Sequence, residues 1–219
     1  YQLHWPERVV NNFGQLKYNH QPREDDIPIL KTLEILGEAV NKGFIRTIGL
    51  SNETPWGVMQ FLSLSEKLHL PRVVSIQNPY NLLNRSFESG LSEISINEKV
   101  GLLAYSPLAG GVLSGKYLDG NNPPNARMTL FEVMSKRYSG SHAENAVRSY
   151  KKIAENHNLK LSQMSLNFIT RQKFVSSNII GATSLEQLNE DLESINCKLS
   201  DEVISEIEEV HKIYTYPCP

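Results

Sequence analysis

At 219 residues, 40% hydrophobic and 21% charged, with a net charge of -2, the chain has the composition of a soluble globular protein able to bury a core. Its scattered basic residues argue against nucleic acid or an anionic membrane as partner, and no apolar run approaches the ~20 residues that span a bilayer. Cys197 and Cys218 form no CxxC pattern, and none of the histidines has a ligand spacing. Neither a disulfide framework nor a metal site is expected, and a reducing cytoplasm is the expected setting.

Tyr1–Trp5 reads as a strand, followed by a polar loop over 6–27 that is rich in Pro and Asn. Leu30, Leu33, Ile35, Leu36, Ala39 and Val40 recur near a helical period and predict a helix over Pro28–Lys42, with Gly43 as its stop. A strand over Phe44–Leu50 ends at Ser51-Asn52. Thr54 and Pro55 supply an N-cap and a first-turn proline for a helix to about His69. Val73–Ile76 is a strand, Phe87–Glu98 a helix and Val100–Tyr105 a strand. A long connection over 106–142 precedes helices at 143–157 and 162–172, a strand at Ser177–Ile180, and helices at 184–195 and 201–213. Loops of such length usually carry function or lack order.

Five strands alternating with helices, without a linker, predict a parallel α/β barrel of which this is a part. A doubly wound open sheet is the alternative, disfavoured because the first strand lacks a GxGxxG turn. Polar groups cluster after the strands, the edge at which such folds bind ligands. Ser51-Asn52 and Gln77-Asn78 could hold a carboxamide by its donor and acceptor, or could be ordinary turn residues. Tyr105 offers a flat face for a ring, or merely packs. Between Ser106 and Lys116 lie Gly110, Gly111, Ser114 and Gly115, where backbone N–H groups and a lysine charge could meet phosphate. The loop is not GxxxxGK[ST], so nucleotide hydrolysis is not implied. Gly181-Ala-Thr-Ser opens a helix and could add an anion site, with Arg127 as a further cation. His4, in HWP at the end of the first strand, could orient a substrate or relay a proton.

The motifs HWP, GFIRTIGLSNET, IQNPYNLLNR, LLAYSPLAGGVLSGKY, NAR and IIGATSLEQL, in this order, resemble the C-terminal portion of an aldo-keto reductase. The likeness is strongest to the bacterial Tas-type oxidoreductases and more distant to voltage-gated potassium channel β subunits. It implies a (β/α)8 TIM barrel represented by about its last five βα units, with residues 1–219 forming a single partial barrel.

The resemblance further implies NADP(H) as cofactor and a small-molecule carbonyl compound as substrate. His4 would line the carbonyl site, Ser51, Asn52 and Gln77 would hold the carboxamide, and Tyr105 would stack on the nicotinamide. Ser106, Leu108, Ser114 and Lys116 would flank the pyrophosphate. Arg127, Thr183, Gln187, Glu190 and Asp191 would surround the adenosine and its 2′-phosphate. Ala182 stands where many family members carry a lysine for that phosphate, and Asp191 where an asparagine meets adenine.

The family's Asp, Tyr and Lys lie on strands that would precede HWP, so they are expected in a longer protein and this chain alone is expected to be inactive. Self-association through open sheet edges is a further expectation. Two other readings compete. One is an NADP(H)-binding regulatory subunit, against which His4 counts because the channel β subunits lack histidine there. The other is a truncated product without activity.

Overall fold

Thr54 accepts a hydrogen bond from the Gly57 N–H at 3.2 Å, and Pro55 follows it at the first helical position. This N-cap stabilises the helix by about 1 kcal/mol relative to alanine. In a computed structural model, which describes residues 1–131 and 136–219, the local signals of this kind set most element boundaries. The strands are β1 Gln2–Leu3, β2 Ile48–Ser51, β3 Val73–Pro79, β4 Gly101–Tyr105 and β5 Val175–Asn178. The helices are α1 Ile29–Asn41, α2 Pro55–Leu68, α3 Leu91–Asn97, α4 Arg127–Leu130, α5 Ser141–Asn156, α6 Leu161–Thr170, α7 Leu185–Glu193 and α8 Asp201–Ile213. One sheet carries the strands in sequence order, and β1–β2 and β2–β3 pair parallel.

Two compact units can be distinguished, Tyr1–Asn78 with Phe87–Leu103 and Pro79–Ser86 with Ala104–Pro219. In the first, Leu33 of α1, Ile48 and Leu50 of β2, Val58 and Phe61 of α2 and Ile76 of β3 are buried. Each such side chain contributes roughly 1.5–3 kcal/mol on leaving water. In the second, α5 buries Ala143, Ala146, Val147, Tyr150, Ile153 and Ala154, a stripe at helical spacing. The Tyr150 hydroxyl keeps a partner there by donating to the Leu82 carbonyl at 3.2 Å.

The departures from expectation have local causes. The strand expected over Phe44–Leu50 begins only at Ile48, because Gly43 (φ +74°) ends α1 and the Phe44 N–H turns back to the Ala39 carbonyl. The helix expected over Phe87–Glu98 divides into a 3₁₀ turn at Ser86–Glu88 and α3, since Gly90 lies at φ +109°. Ile35, counted with the apolar face of α1, is 61% exposed because it lies roughly 160° around the helix from Leu33 and about 100° from Leu36, off the buried stripe that those two share. The connection after Tyr105 is not structureless. It holds 3₁₀ turns at Ala109–Ser114 and Leu118–Gly120 as well as α4, while its residues 132–135 lie outside the described residues.

Candidate functional site

Of the sequence-derived candidates, His4, Ser51, Asn52 and Gln77 belong to the first unit. Ser51 is the last residue of β2 and Asn52 follows it in the left-handed region, at φ +54°. The Asn52 Nδ2 donates to the His4 carbonyl at 2.8 Å and to the Ser51 Oγ at 3.2 Å. Ser51 in turn donates to the Gln77 carbonyl at 2.7 Å, and the Asn52 N–H reaches the same carbonyl at 3.1 Å. These four residues therefore form one hydrogen-bonded group. Gln77 also donates its Nε2 to the Gln2 Oε1 at 2.9 Å. A carboxamide taken up by Ser51 would compete with the Ser51–Gln77 bond. The His4 side chain is exposed, with its ring centroid 6.2 Å from that of Trp5.

The remaining candidates lie in the second unit. Tyr105 ends β4, and burial pushes its phenol up to about 12, opposed in part by the Arg137 charge. It is thus a neutral ring at physiological pH. Tyr80, whose N–H bonds the Tyr105 carbonyl, is fully buried edge-to-face on Phe174 at 5.3 Å.

After Tyr105 the chain takes left-handed conformations at Ser106, Ala109, Gly110, Gly111 and Gly115. The Leu108 carbonyl accepts from the Gly111 and Leu113 N–H groups, and Ser114 donates to the Gly111 carbonyl at 2.8 Å. Lys116 lies over Gly111: a Cβ there would stand 3.1 Å from the Lys116 Cε and Nζ. Tyr117 accepts from the Met128 N–H at 3.1 Å, which fixes the start of α4 and with it the exposed Arg127. A glycine-built turn with a lysine laid across it is a chemically suitable seat for phosphate oxygens.

The last group is engaged differently from what the pattern alone suggested. Ser184 caps α7 by accepting from the Gln187 N–H, while the Gln187 Oε1 accepts from the Thr183 N–H and Oγ1, each at 3.0 Å. Ser184-x-x-Gln187 has the spacing of a capping box, but here Gln187 reaches the N–H of Thr183, one residue before the cap, and not that of Ser184. The Glu190 carboxylate is held by Lys160 at 2.7 Å and by Ser162, which together keep it below the usual carboxylate range. Asp191 is buried, and burial followed by the neighbouring Glu190 charge raises its carboxyl. Thr183 and Gln187 therefore form one pair, and Glu190 belongs to another group with α6.

Three sets of contacts had no clear signal in the sequence, and one of them commits Asn78, read there with Gln77 as a carboxamide holder, to the backbone. Asn78 bonds both the N–H and the carbonyl of Glu53, at 3.1 and 3.0 Å. Asn81, fully buried, donates to the Ser106 carbonyl at 3.0 Å. Arg8, from the long loop, pairs with the buried Glu53, bonds Thr54 and stacks on Trp56 at 4.8 Å. Asparagine beside proline reads equally well as a turn, and an arginine in a polar loop reads as solvated.

The sequence model of the aldo/keto reductase family matches residues 1–212. The chain is similar to Protein tas of Escherichia coli K12, 51% identical over 219 residues, which are 100% of this chain and 63% of that protein. It is 35% identical over 227 residues to an aldo-keto reductase of Babesia bovis, covering 96% of this chain and 79% of the other. A probable voltage-gated potassium channel subunit beta of Oryza sativa is 28% identical over 209 residues, 93% of this chain and 63% of its own length. The chain thus spans 63% of the length of the first of these relatives.

Proposed function

The chain belongs to the aldo-keto reductase family, whose fold is the (β/α)8 barrel, and from that premise we propose that it is the cofactor-binding part of an NADP(H)-dependent reductase of aldehydes or ketones. When bound, the nicotinamide supplies the hydride. The residues of this chain would bind and orient. In the first unit, Ser51, Asn52 and Gln77 would hold the carboxamide and His4 would line the carbonyl pocket. In the second, Tyr105 would present its neutral ring to the nicotinamide, and Ser106, Leu108, Ser114 and Lys116 would flank the pyrophosphate. Arg127, Thr183, Gln187, Glu190 and Asp191 would lie around the adenosine and its 2′-phosphate.

The observation that carries this reading is the left-handed turn at Gly110 and Gly111 with Lys116 across it and Arg127 anchored through Met128 and Tyr117. It offers two cations and close backbone approach, which suit a phosphate-bearing cofactor. The Babesia relative's description as an aldo-keto reductase supports the catalytic reading over a regulatory one. The test is fluorescence titration with NADPH and NADH. Saturable binding with a preference for NADPH is expected, and absence of binding to either would overturn the reading.

A further inference from the structure

We infer that Asn78, near the end of β3, and Asn81, just beyond it, two of the buried asparagines there, are positioning residues that hold the backbone corners presenting Ser51-Asn52 and Tyr105-Ser106. The inference rests on the cofactor reading above and adds residues that it does not include.

Both corners share an uncommon conformation. Immediately after the strand, Asn52 stands at φ +54° and Ser106 at φ +53°. Non-glycine residues visit this region rarely, serine less readily than asparagine, and they stay there only where their surroundings over-determine it. The segment Gln77–Asn81 supplies that surrounding in each unit separately. In the first unit, the Gln77 carbonyl accepts from both the Ser51 Oγ and the Asn52 N–H. The Asn78 side chain then closes a two-bond ring with Glu53, its Oδ1 on the N–H and its Nδ2 on the carbonyl. In the second unit, the Tyr80 N–H donates to the Tyr105 carbonyl at 3.3 Å, and the Asn81 Nδ2 donates to the Ser106 carbonyl at 3.0 Å.

Each asparagine has its polar atoms committed to backbone. Asn81 accepts at Oδ1 from the N–H groups of Leu83 and Asn84, at 2.9 and 3.0 Å, which makes its own loop rigid before it reaches Ser106. An amide is the side chain this task needs, because it donates and accepts at once. Aspartate in place of Asn78 would set a carboxylate oxygen against the Glu53 carbonyl, and alanine would release both ends. The side chains that each corner displays would then lose their fixed direction, and binding that depends on orientation would weaken.

The experiment uses two probes on the chain and its Asn78→Ala, Asn78→Asp and Asn81→Ala variants: NADPH, and 2′,5′-ADP, which carries the adenosine and its phosphates but no nicotinamide. The dissociation constant for NADPH is expected to rise about tenfold in each variant, the scale of losing one or two buried hydrogen bonds, while that for 2′,5′-ADP stays within about twofold in the Asn78 variants, whose corner meets no phosphate. An equal loss for both probes in the Asn78 variants, or a lowered Tm with neither constant changed, overturns the inference and leaves the asparagines merely structural. Should Asn81→Ala fail to fold, the Asn78 variants decide. Failure of the unsubstituted chain to bind either probe overturns the cofactor reading itself, and this inference with it.

Discussion

The terminal methyl of Met128 lies directly beneath Gly110: a Cβ on that glycine would stand 2.2 Å from the Met128 Cε. The contact ties the turn after β4 to the start of α4. Gly110 is thereby constrained twice, by this approach and by its φ of +65°.

Gly110→Ala is expected to destabilise the protein by about 1–2 kcal/mol through the left-handed penalty of an L side chain, with a smaller steric part because the flexible end of Met128 must shift aside. The double variant Gly110→Ala/Met128→Ala is expected to recover the steric part relative to Met128→Ala alone and to retain roughly 1–2 kcal/mol of conformational strain. Urea unfolding of the four proteins of this cycle measures both terms. An additive cycle would show that Met128 does not press on this glycine.

Arg127 is exposed at the head of α4, beside the turn that Lys116 crosses. If it reads the 2′-phosphate, Arg127→Ala weakens NADPH by about tenfold or more while leaving NADH within twofold, since a charge-assisted contact contributes about 1.5–3 kcal/mol. Titrations of both cofactors decide the point. Equal losses for both would assign Arg127 to the shared part of the dinucleotide instead.

How much of this was legible before the structure depends on the range of the signal. Thr54-Pro55 and Ser200 announced helix starts because a cap acts within one turn, and both accept the expected N–H bonds. Gly110, Gly111 and Gly115 announced a special turn because left-handed backbone favours glycine. Ser106 and Ala109 take the same conformation without that announcement, since long-range bonds hold Ser106 there. The break at Gly90 was hidden because a single glycine in an apolar period also fits a continuous helix. The partners of Glu190 and Glu53 were unreadable for a similar reason: Lys160 and Arg8 lie 30 and 45 positions away, where sequence spacing carries no contact information.

Adjacent carboxylates on α7 should show opposite pH behaviour. Asp191 is raised by burial above its ordinary 3.8, so its native state binds the extra proton and stability falls as pH rises through the raised pKa. Asp191→Asn is therefore expected to raise the Tm at pH 7, with the gain shrinking as pH falls toward 4. Glu190 is lowered from its ordinary 4.5 by Lys160 and Ser162, so its contribution is present above that value and lost as pH falls. Glu190→Gln is expected to lower the Tm at pH 7 and to cost less in acid. Thermal unfolding from pH 4 to 8 tests both signs, and parallel curves for either variant against the unsubstituted chain would refute its assignment.

Carbonyl reduction needs a proton as well as a hydride, and the tyrosines near the proposed cofactor site are poorly suited to give one. Tyr80 is fully buried, burial raises the Tyr138 phenol, the Tyr105 phenol is pushed up to about 12, and the Tyr117 hydroxyl is engaged by the Met128 N–H. His4 has an exposed ring and could orient a carbonyl, but orientation leaves the proton unsupplied. A positioned general acid contributes ~10²–10⁴-fold, so the 219-residue chain is expected to oxidise NADPH with simple aldehydes slower by about that factor than a version extended to the length of its relatives. The measurement is the initial rate of NADPH loss for both proteins at saturating cofactor, with NADPH binding measured alongside. Binding by the shorter chain with little turnover would place the general acid in the extension. Equal turnover would place it among the residues described here, with His4 the first to substitute, because its side chain alone of the proposed catalytic and carboxamide-holding groups has no hydrogen bond holding it in the first unit.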